Sequence, residues 1–409
     1  MKFLRKTLML LLAVIIVVPA FAAEKQPVKV NFIEDDMVVD KDVHTVLKDG
    51  RTFVPYTFFE DVKGFDKYKM EASKGMLTIK GEDREIVLTK DDKAYKVKDA
   101  FKSVETEGPA PFEDEKGMLY VPFRFVSENT GYGVKWDGEH NIAQMVFKPF
   151  VEKRVMVKSD KADIPAIITM PIQKEKAPLV VMLHGTGSNK DEAGSGYVYM
   201  AEEFAKAGIA SARFDFRGVG DSKGEYKDYD YETAVGDTLK VLEYVKANEN
   251  VDPNRVGVMG WSQGGTDAFL AAAKSDEFKS VLTWAGAIDL SDMLSDEDYA
   301  TAKKDGYFTV NFEWRTPLQF GLSWAEDVKN VKLLDVIKTI KAPILCINGA
   351  EDDVVDPKSA DEILKVAQND KSKKVVIEGA DHTFKIFTDD KKPFTKLMTE
   401  TVKWFEDTL

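Results

Sequence analysis

Hydrophobic and polar positions divide the chain into two parts with different patterns. Residues 28–147 contain short β-type runs separated by Gly, Asp and Lys, which are typical of a small β-rich domain. From about residue 163, apolar strands alternate with amphipathic helical stretches, as in βαβ units around a mostly parallel, doubly wound sheet. The pattern therefore predicts an α+β domain at 28–147 and a larger α/β domain at 151–409.

The first part contains an internal repeat with an offset of 67 residues. Phe53-Val-Pro-Tyr56 recurs as Tyr120-Val-Pro-Phe123. In each copy a strand ends at proline and a short helix follows, Tyr56–Asp61 in one and Phe123–Thr130 in the other. Proline has no backbone N–H, so it interrupts the hydrogen bonds of a strand and is favoured at the start of a helix. We therefore expect two similar units in this domain.

The second copy, Leu119–Asp137, resembles the N-terminal domain family of copper amine oxidases, and the resemblance covers residues 28–147. It implies a non-catalytic stalk without the oxidase's metal site. His44 and His140 are the only histidines of this part, and no sign in the sequence indicates that they cluster, so we predict no metal site. We expect a spacer or a module that contacts the cell wall or cell surface.

Residues 1–22 have the pattern of a secretory signal peptide. A positively charged start precedes the apolar run Leu8–Val18, and Ala20-Phe-Ala22 fits the cleavage rule. An uncleaved anchor is the alternative, but eleven helical residues span only about 16 Å, roughly half of a bilayer core. We expect a secreted, extracellular protein that is not inserted in the membrane after cleavage and that can associate with the cell surface.

Composition and charge narrow the function classes. The chain of 409 residues is 44% hydrophobic and 31% charged, as in ordinary globular proteins. Its net charge of −13 disfavours binding to nucleic acids and to anionic membranes. The single cysteine, Cys346, excludes an internal disulfide and a cysteine-rich zinc site.

The strongest catalytic motif is Gly260-Trp-Ser262-Gln-Gly264. It follows the apolar run Val256–Met259 and precedes the helical stretch Thr266–Lys274. A sharp strand-to-helix turn needs glycine two residues before and after the serine, because larger side chains would collide there. Ser262 is therefore the predicted nucleophile, with the backbone amide of Gln263 at the start of a helix.

A serine nucleophile needs a base, and the α/β part holds only two histidines. His184 belongs to the motif His184-Gly-Thr-Gly187, where a structural role in the turn is expected. Elimination leaves His382, in a loop after the strand Lys374–Ile377, as the predicted base.

The carboxylate that orients the histidine should follow the strand Ile344–Asn348. Four acids compete in that loop: Glu351, Asp352, Asp353 and Asp356. A count of three residues from Gly349 favours Asp352, and Asp353 is the alternative. The order serine, aspartate, histidine along the chain is that of α/β-hydrolases.

Acyl transfer also needs N–H donors for the negative charge that develops on the carbonyl oxygen. The strand Leu179–Leu183 ends at the His184 motif, which directs the next amide at the reaction centre. We expect the backbone N–H groups of Thr186 and Gln263 to form this oxyanion hole. Asp215 and Arg217, in the following loop, are expected to form an ion-paired turn that supports the site.

These motifs together resemble the α/β-hydrolase superfamily, and most of all its small serine esterases of the cinnamoyl or feruloyl esterase type, over residues 151–409. In that family the acid lies three residues after the glycine of a G-x-x-D-x-V-V-x-P loop, which favours Asp352. The family's oxyanion residue is often aromatic, whereas Thr186 is small and polar. The resemblance also implies a cap inserted at about residues 289–336, where Phe312 and Trp314 are candidates for the wall of the substrate pocket.

The sequence predicts a secreted serine carboxylesterase that hydrolyses small to medium acyl esters, aromatic-acid esters among them, without a metal or organic cofactor. Its expected partner is a small-molecule ester. A peptidase or a thioesterase would use the same three residues. A non-catalytic cell-surface binding protein is the alternative of another class.

Overall fold

The computed structural model describes residues 29–34, 37–40, 43–62, 64–81 and 84–409. The predicted signal peptide, residues 1–22, lies outside the described residues. Within the described ranges, no helix combines the length and the apolar character that crossing a membrane requires.

The described residues of the N-terminal part form three small sheets, the α-helix α1 (Phe123–Asn129) and two 3-10 helices, Tyr56–Asp61 and Phe65–Lys67. The strands of these sheets are β1 (Lys29–Glu34), β2 (Met37–Asp40), β3 (Val46–Lys48), β4 (Arg51–Pro55), β5 (Lys69–Ser73), β6 (Met76–Lys80), β7 (Arg84–Thr89), β8 (Ala94–Asp99), β9 (Ser103–Glu107), β10 (Phe112–Glu113), β11 (Leu119–Pro122), β12 (Tyr132–Asp137) and β13 (Ile142–Phe147). The order of neighbouring strands is β12-β13-β1-β2 in one sheet, β10-β11-β4-β3 in the second and β5-β6-β7-β8-β9 in the third.

The internal repeat forms the centre of this domain. Strands β4 and β11 are the two copies, and they pair antiparallel with Val54 opposite Val121. The helix that follows β4, Tyr56–Asp61, is a 3-10 helix, while its counterpart is α1. Both helices bring phenylalanine rings into one core, where Phe58 and Phe123 lie 5.6 Å apart. The predicted β-rich α+β class of this domain is confirmed.

The C-terminal part is built on one eight-stranded sheet with the order β14-β15-β17-β16-β18-β19-β22-β23. Its strands are β14 (Phe150–Val157), β15 (Ile164–Pro171), β16 (Ala177–Leu183), β17 (Ala210–Phe214), β18 (Val251–Trp261), β19 (Phe278–Trp284), β22 (Ile344–Gly349) and β23 (Lys373–Ile377). Strands β14 and β15 are antiparallel to their neighbours, and the other pairs are parallel. This is the predicted doubly wound, mostly parallel sheet.

Helices cover both faces of this sheet. They are α2 (Gly196–Lys206), α3 (Tyr231–Asn248), α4 (Gln263–Lys274), α8 (Ser359–Val366) and α9 (Lys392–Thr408). Side chains of successive strand residues point to opposite faces, so Val180 belongs to one core and Val181 to the other. Because a hydrophobic core lies on each face of the sheet, the central strands are apolar on both sides.

An insertion lies between β19 and β22. It contains α5 (Asp296–Asp305), the hairpin of β20 (Tyr307–Phe312) and β21 (Arg315–Gly321), α6 (Leu322–Asn330) and α7 (Leu333–Ile337). Phe308, Phe320 and Trp324 form its buried aromatic core, with Phe320 and Trp324 centred 4.5 Å apart. Three of the seven aromatic residues of the predicted cap therefore stabilise the cap itself.

The two parts of the chain touch at the turn between β8 and β9. The ring of Phe101 lies 5.0 Å from Lys190 Nζ, and Lys102 Nζ lies 2.6 Å from Asp221. Strand β14 begins at Phe150, three residues after β13 ends. The exact domain limits at 28–147 and 151–409 stay a prediction.

Candidate active site

Loops at the carboxyl ends of parallel strands meet at one edge of a sheet. The loops after β16, β17, β18, β22 and β23 hold His184, Asp215, Ser262, Asp352 and His382, respectively. The topology therefore gathers the candidate residues, which are far apart in sequence, at the same edge.

Ser262 lies in a strained turn between β18 and α4. Its φ of 55° and ψ of −121° are unusual for a residue with a side chain and cost of order 1–3 kcal/mol. The two glycines of the motif make the turn possible: a Cβ on Gly260 would lie 1.8 Å from Gly264 O, and one on Gly264 would lie 2.1 Å from Leu183 O. The Ser262 N–H donates to Trp284 O at 2.9 Å, which holds the turn against the next strand.

Asp352 lies against His382. The Asp352 carboxylate oxygens are 2.9 and 3.1 Å from His382 Nδ1, and its side chain is fully buried. The backbone N–H groups of Val354 and Val355 each donate to Asp352 Oδ1 at 2.9 Å. Asp353, the alternative, is exposed. Of the two aspartates, the structure thus brings Asp352 to the histidine.

The histidine loop is also tied to the serine turn. Trp261 Nε1 donates to His382 O at 3.1 Å, so the residue before Ser262 holds the backbone of the histidine. The structure therefore brings Ser262, His382 and Asp352 into one connected set of loops.

Thr186 and Gln263 face each other across the start of α4. Thr186 Oγ1 donates to Gln263 Oε1 at 2.6 Å. Among the described residues, neither backbone N–H has an acceptor, which leaves both groups available to a ligand. A Cβ on Gly185 would lie 3.3 Å from Ser262 Cβ, so this loop packs directly against the serine.

Glu192 holds the loop 184–191 in place. Its Oε1 accepts from the N–H of Gly185, and its Oε2 accepts from Ser188 Oγ at 2.6 Å. Sequence reasoning missed this residue because an isolated glutamate in a loop has no distinctive pattern.

His184 is a structural residue of the turn. Its Nδ1 is 2.8 Å from Gly185 O, and its Nε2 accepts from the Phe216 N–H at 3.1 Å. Burial lowers its pKa, so the ring is neutral. With both nitrogens engaged, His184 has no free atom to act as a second base.

Asp215 and Arg217 are both buried in ion pairs, but their partners are other residues. Asp215 Oδ2 lies 2.7 Å from Lys190 Nζ, and the Arg217 guanidinium binds both oxygens of Asp237 at 3.1 Å. The expected ion-paired turn is thus two separate pairs, each made with a residue from another segment of the chain. One pair supports the loop after β16, and the other ties the turn to α3.

Two buried tyrosines next to the site escaped the sequence analysis. Gln263 Nε2 donates to Tyr229 Oη at 2.5 Å, and Tyr229 Oη donates to Asp267 Oδ2 at 2.7 Å. The Gly187 N–H donates to Tyr226 Oη at 3.2 Å. The only available signal was Asp267 itself, an acid beside Ala268 and Phe269 on the apolar side of a helix.

The tip of the cap hairpin touches the loop after β16. Arg315 donates to Gly187 O, and the neighbouring Trp314 is 64% exposed. Phe312 is partly buried, with its ring 5.5 Å from that of Trp314. The role of Phe312 and Trp314 in a substrate pocket stays a prediction.

The two histidines of the N-terminal part, His44 and His140, have different hydrogen-bond partners. His44 Nδ1 is 3.0 Å from Tyr120 Oη, and His140 Nδ1 is 2.8 Å from Asp137. No group of three or more His, Cys, Asp or Glu side chains suited to a metal ion occurs in the part of the chain that the structure describes.

This fold and this strand-to-helix serine turn define an α/β-hydrolase. The chain belongs to the prolyl oligopeptidase family, which matches residues 197–409. The copper amine oxidase N-terminal domain family matches residues 33–145. The resemblances inferred from the motifs are confirmed.

Individual related proteins match only part of this chain. The quorum-quenching protein AidA of Acinetobacter baumannii is 28% identical over 130 residues, which are 32% of this chain and 42% of AidA. The 2,6-dihydropseudooxynicotine hydrolase of Paenarthrobacter nicotinovorans is 27% identical over 246 residues, or 59% of this chain and 61% of the hydrolase. The match thus spans less than two thirds of either relative.

A solved structure with the same fold is Est1E of Butyrivibrio proteoclasticus with bound ferulic acid. Its TM-score is 0.53 at 21% sequence identity, and the alignment covers 62% of this chain and 98% of Est1E. At this identity the likeness concerns the fold.

The buried Asp267 yields a prediction about pH. Burial raises its pKa to about 8, and the neighbouring Tyr226, Tyr229 and Tyr231 have pKa values that burial raises as well, so they stay neutral. Unfolding frees Asp267 to ionise at about pH 4, so the wild-type free energy of unfolding loses up to about 1.4 kcal/mol per pH unit between pH 4 and 8. Asp267→Asn imitates the neutral carboxyl and lacks this loss.

Urea unfolding of both proteins at pH 5, 6, 7, 8 and 9 measures the effect. The stability of Asp267→Asn relative to wild type should rise up to pH 8 and then level off. Parallel stability profiles of the two proteins would show that Asp267 does not titrate in this way.

Proposed function

We propose that this protein is a secreted serine carboxylesterase that hydrolyses small to medium acyl esters. The observation that carries the proposal is the buried Asp352 carboxylate bound to His382 Nδ1, in loops tied to the strained Ser262 turn. Membership of an α/β-hydrolase family supports it.

In the proposed reaction, Ser262 Oγ attacks the ester carbonyl carbon, while His382 Nε2 takes the hydroxyl proton. Asp352 accepts the Nδ1–H, which keeps Nε2 free as the base and stabilises the imidazolium that forms. The N–H groups of Thr186 and Gln263 bind the oxyanion. His382 then protonates the leaving alcohol, and an acyl-enzyme remains.

A water molecule completes the cycle. His382 takes a proton from the water as it attacks the acyl carbonyl, and returns a proton to Ser262 Oγ when the acid leaves. Each step is proton transfer and acyl transfer among these side chains, and the proposed mechanism uses no cofactor.

Exposed apolar side chains on three of the site's segments favour an apolar substrate group. Trp314 lies at the cap tip, Val354 follows the aspartate by two residues, and Phe387 follows His382 by five. We propose that these three side chains contact the apolar group of the substrate. Est1E binds ferulic acid, and we therefore include aromatic-acid esters among the proposed substrates.

A peptidase remains the second candidate. The family to which the chain belongs is named for a peptidase, and the same three residues cleave amides and thioesters. The test of the proposal therefore includes these bonds. A non-catalytic binding protein remains the alternative in which no bond is cleaved.

Ser262→Ala tests the nucleophile. Wild type should release p-nitrophenol from the acetate, butyrate and octanoate esters, and the variant should lose about 10³-fold or more in kcat. Ser275→Ala, at the other end of α4, is the matched control and should keep wild-type activity. Equal activity of Ser262→Ala and wild type would exclude Ser262 as the nucleophile.

The same proteins are assayed with a p-nitroanilide and a thioester. Faster cleavage of either than of the esters would move the proposal to a peptidase or a thioesterase. If the wild type cleaves neither the esters, the anilide nor the thioester, the non-catalytic binding protein becomes the favoured hypothesis.

Trp314→Ala tests the pocket wall. Removing an indole that contacts the acyl chain should lower kcat/KM for the octanoate ester by about tenfold and leave the acetate ester nearly unchanged, since each lost apolar contact is worth about 1–3 kcal/mol. Tyr199→Ala removes a comparably exposed aromatic ring on α2 and serves as the control. An unchanged chain-length profile in Trp314→Ala would remove this residue from the pocket.

We further propose that the N-terminal domain contacts the cell wall or cell surface. It contains a groove of about 730 Å³ whose lining includes Trp136, Leu47, Arg51 and Asn141. Trp136 is 51% exposed, and its strand partner Ala143 leaves room beside the indole. Aromatic and polar groups that share a groove of this size are typical of ligand sites.

Trp136→Ala in the full chain should reduce the fraction of protein that sediments with purified cell walls, without changing ester hydrolysis. Met76→Ala, an exposed apolar residue of the same domain outside the groove lining, is the control. If wild type does not sediment with cell walls, the domain is a spacer.

A further inference from the structure

A continuous series of hydrogen bonds runs from a buried carboxyl group to the proposed oxyanion hole. Asp267 Oδ2 accepts from Tyr229 Oη at 2.7 Å, and Tyr229 Oη accepts from Gln263 Nε2 at 2.5 Å. Gln263 Oε1 then accepts from Thr186 Oγ1 at 2.6 Å. Four side chains from three segments are thereby joined: Thr186 lies in the loop after β16, Tyr229 in the turn before α3, and Gln263 and Asp267 in α4. Each hydrogen bond of the series points toward Asp267.

The direction of each bond fixes the orientation of the Gln263 amide. Its oxygen must face the Thr186 hydroxyl and its nitrogen must face Tyr229, because Tyr229 uses its own proton for Asp267. The side chains of Gln263, Tyr229 and Asp267 are all buried, so water does not substitute for a missing partner without cost.

Tyr226 acts on the same loop one residue further on. Its Oη accepts from the Gly187 N–H, and its ring stacks on that of Tyr229 at 5.2 Å and 11°. The two tyrosines come from one short turn, so they hold Thr186 and Gly187 relative to α4 as a single packed unit.

We propose that Tyr229, anchored by Asp267, is a positioning residue for the oxyanion hole: it fixes the Gln263 side chain and, through it, the loop that carries Thr186. The proposal rests on the esterase function proposed above. The two N–H donors belong to different elements, the loop after β16 and the start of α4, and their spacing depends on what joins those elements.

The Thr186–Gln263 hydrogen bond is the direct connection between the two donors, and Tyr229 prevents the Gln263 amide from rotating away. Donors that are already in place when negative charge develops stabilise the transition state more than donors that must move. Loss of the Tyr229 hydroxyl should therefore affect the chemical step more than substrate binding.

Tyr229→Phe removes the hydroxyl and keeps the ring. With p-nitrophenyl butyrate, kcat should fall about 10- to 100-fold while KM stays within about twofold, as expected for a small displacement of catalytic groups. Tyr231→Phe is the matched control, because Tyr231 is also buried and its hydroxyl makes no hydrogen bond among the described residues.

Inhibition by butaneboronic acid separates positioning from a merely structural role. The boronate forms a tetrahedral adduct with the serine, so its Ki in Tyr229→Phe should rise by the same factor as kcat/KM falls. A second pair of variants leaves the ring untouched: Asp267→Ala should lower kcat, and Asp267→Asn, which retains an oxygen acceptor for Tyr229, should recover it.

Each outcome decides the proposal. A lower melting temperature of Tyr229→Phe with unchanged kcat and Ki would overturn it and leave Tyr229 as a structural residue. A raised KM with unchanged kcat would also overturn it. If the wild type neither hydrolyses the ester nor binds the boronate, the esterase function and this proposal are overturned together. If the wild type is active and Tyr229→Phe has the same kcat and Ki, only the positioning role is overturned.

Discussion

The close approach of α4 to the end of β16 is the constraint on which the site depends. Gly264 lies so near Leu183 O that any side chain there would force the helix and the strand apart, and Gly260 meets Gly264 in the same way. The strained φ of Ser262 is the backbone consequence of this packing, and hydrogen bonds of its N–H and C=O to neighbouring strands and turns compensate for it. The same approach places Gln263 beside Thr186, so nucleophile and oxyanion donors follow from one contact.

Buried polar groups hold the loops around that contact. The single cysteine, Cys346, is buried in a strand, and the loops are joined without disulfides. Asp352 is satisfied by two backbone N–H groups and a histidine, and Asp215 by the ammonium and the N–H of Lys190. A buried carboxylate is tolerated only with such partners, and removing one partner leaves an uncompensated charge. The loops are therefore restricted to the arrangements in which these partners meet.

Local patterns allowed much of the site to be predicted, and contacts between distant segments set the limit. The serine turn has a glycine pattern that only a sharp strand-to-helix turn requires, and the scarcity of histidines pointed to His382. The ion-pair partners of Asp215 and Arg217 could not be predicted from a local sequence pattern, because Lys190 and Asp237 come from separate segments. Tyr229 and Asp267 were missed for the same reason: their bond joins residues 38 positions apart in sequence.

The contact between the two parts of the chain includes two ion pairs, Lys102–Asp221 and Arg154–Asp99, and the approach of Lys190 to the Phe101 ring. Lys102 reaches Asp221 from the N-terminal part, but its side chain is 54% exposed, and exposed ion pairs contribute at most about 1 kcal/mol. Lys190, over which the Phe101 ring lies, is 5% exposed and is already paired with Asp215 inside the hydrolase part. The supporting ion pair beneath the loop after β16 therefore depends on the hydrolase residues themselves. Because both members of this supporting pair, Lys190 and Asp215, are hydrolase residues, the arrangement agrees with the spacer or attachment role proposed above for the N-terminal domain.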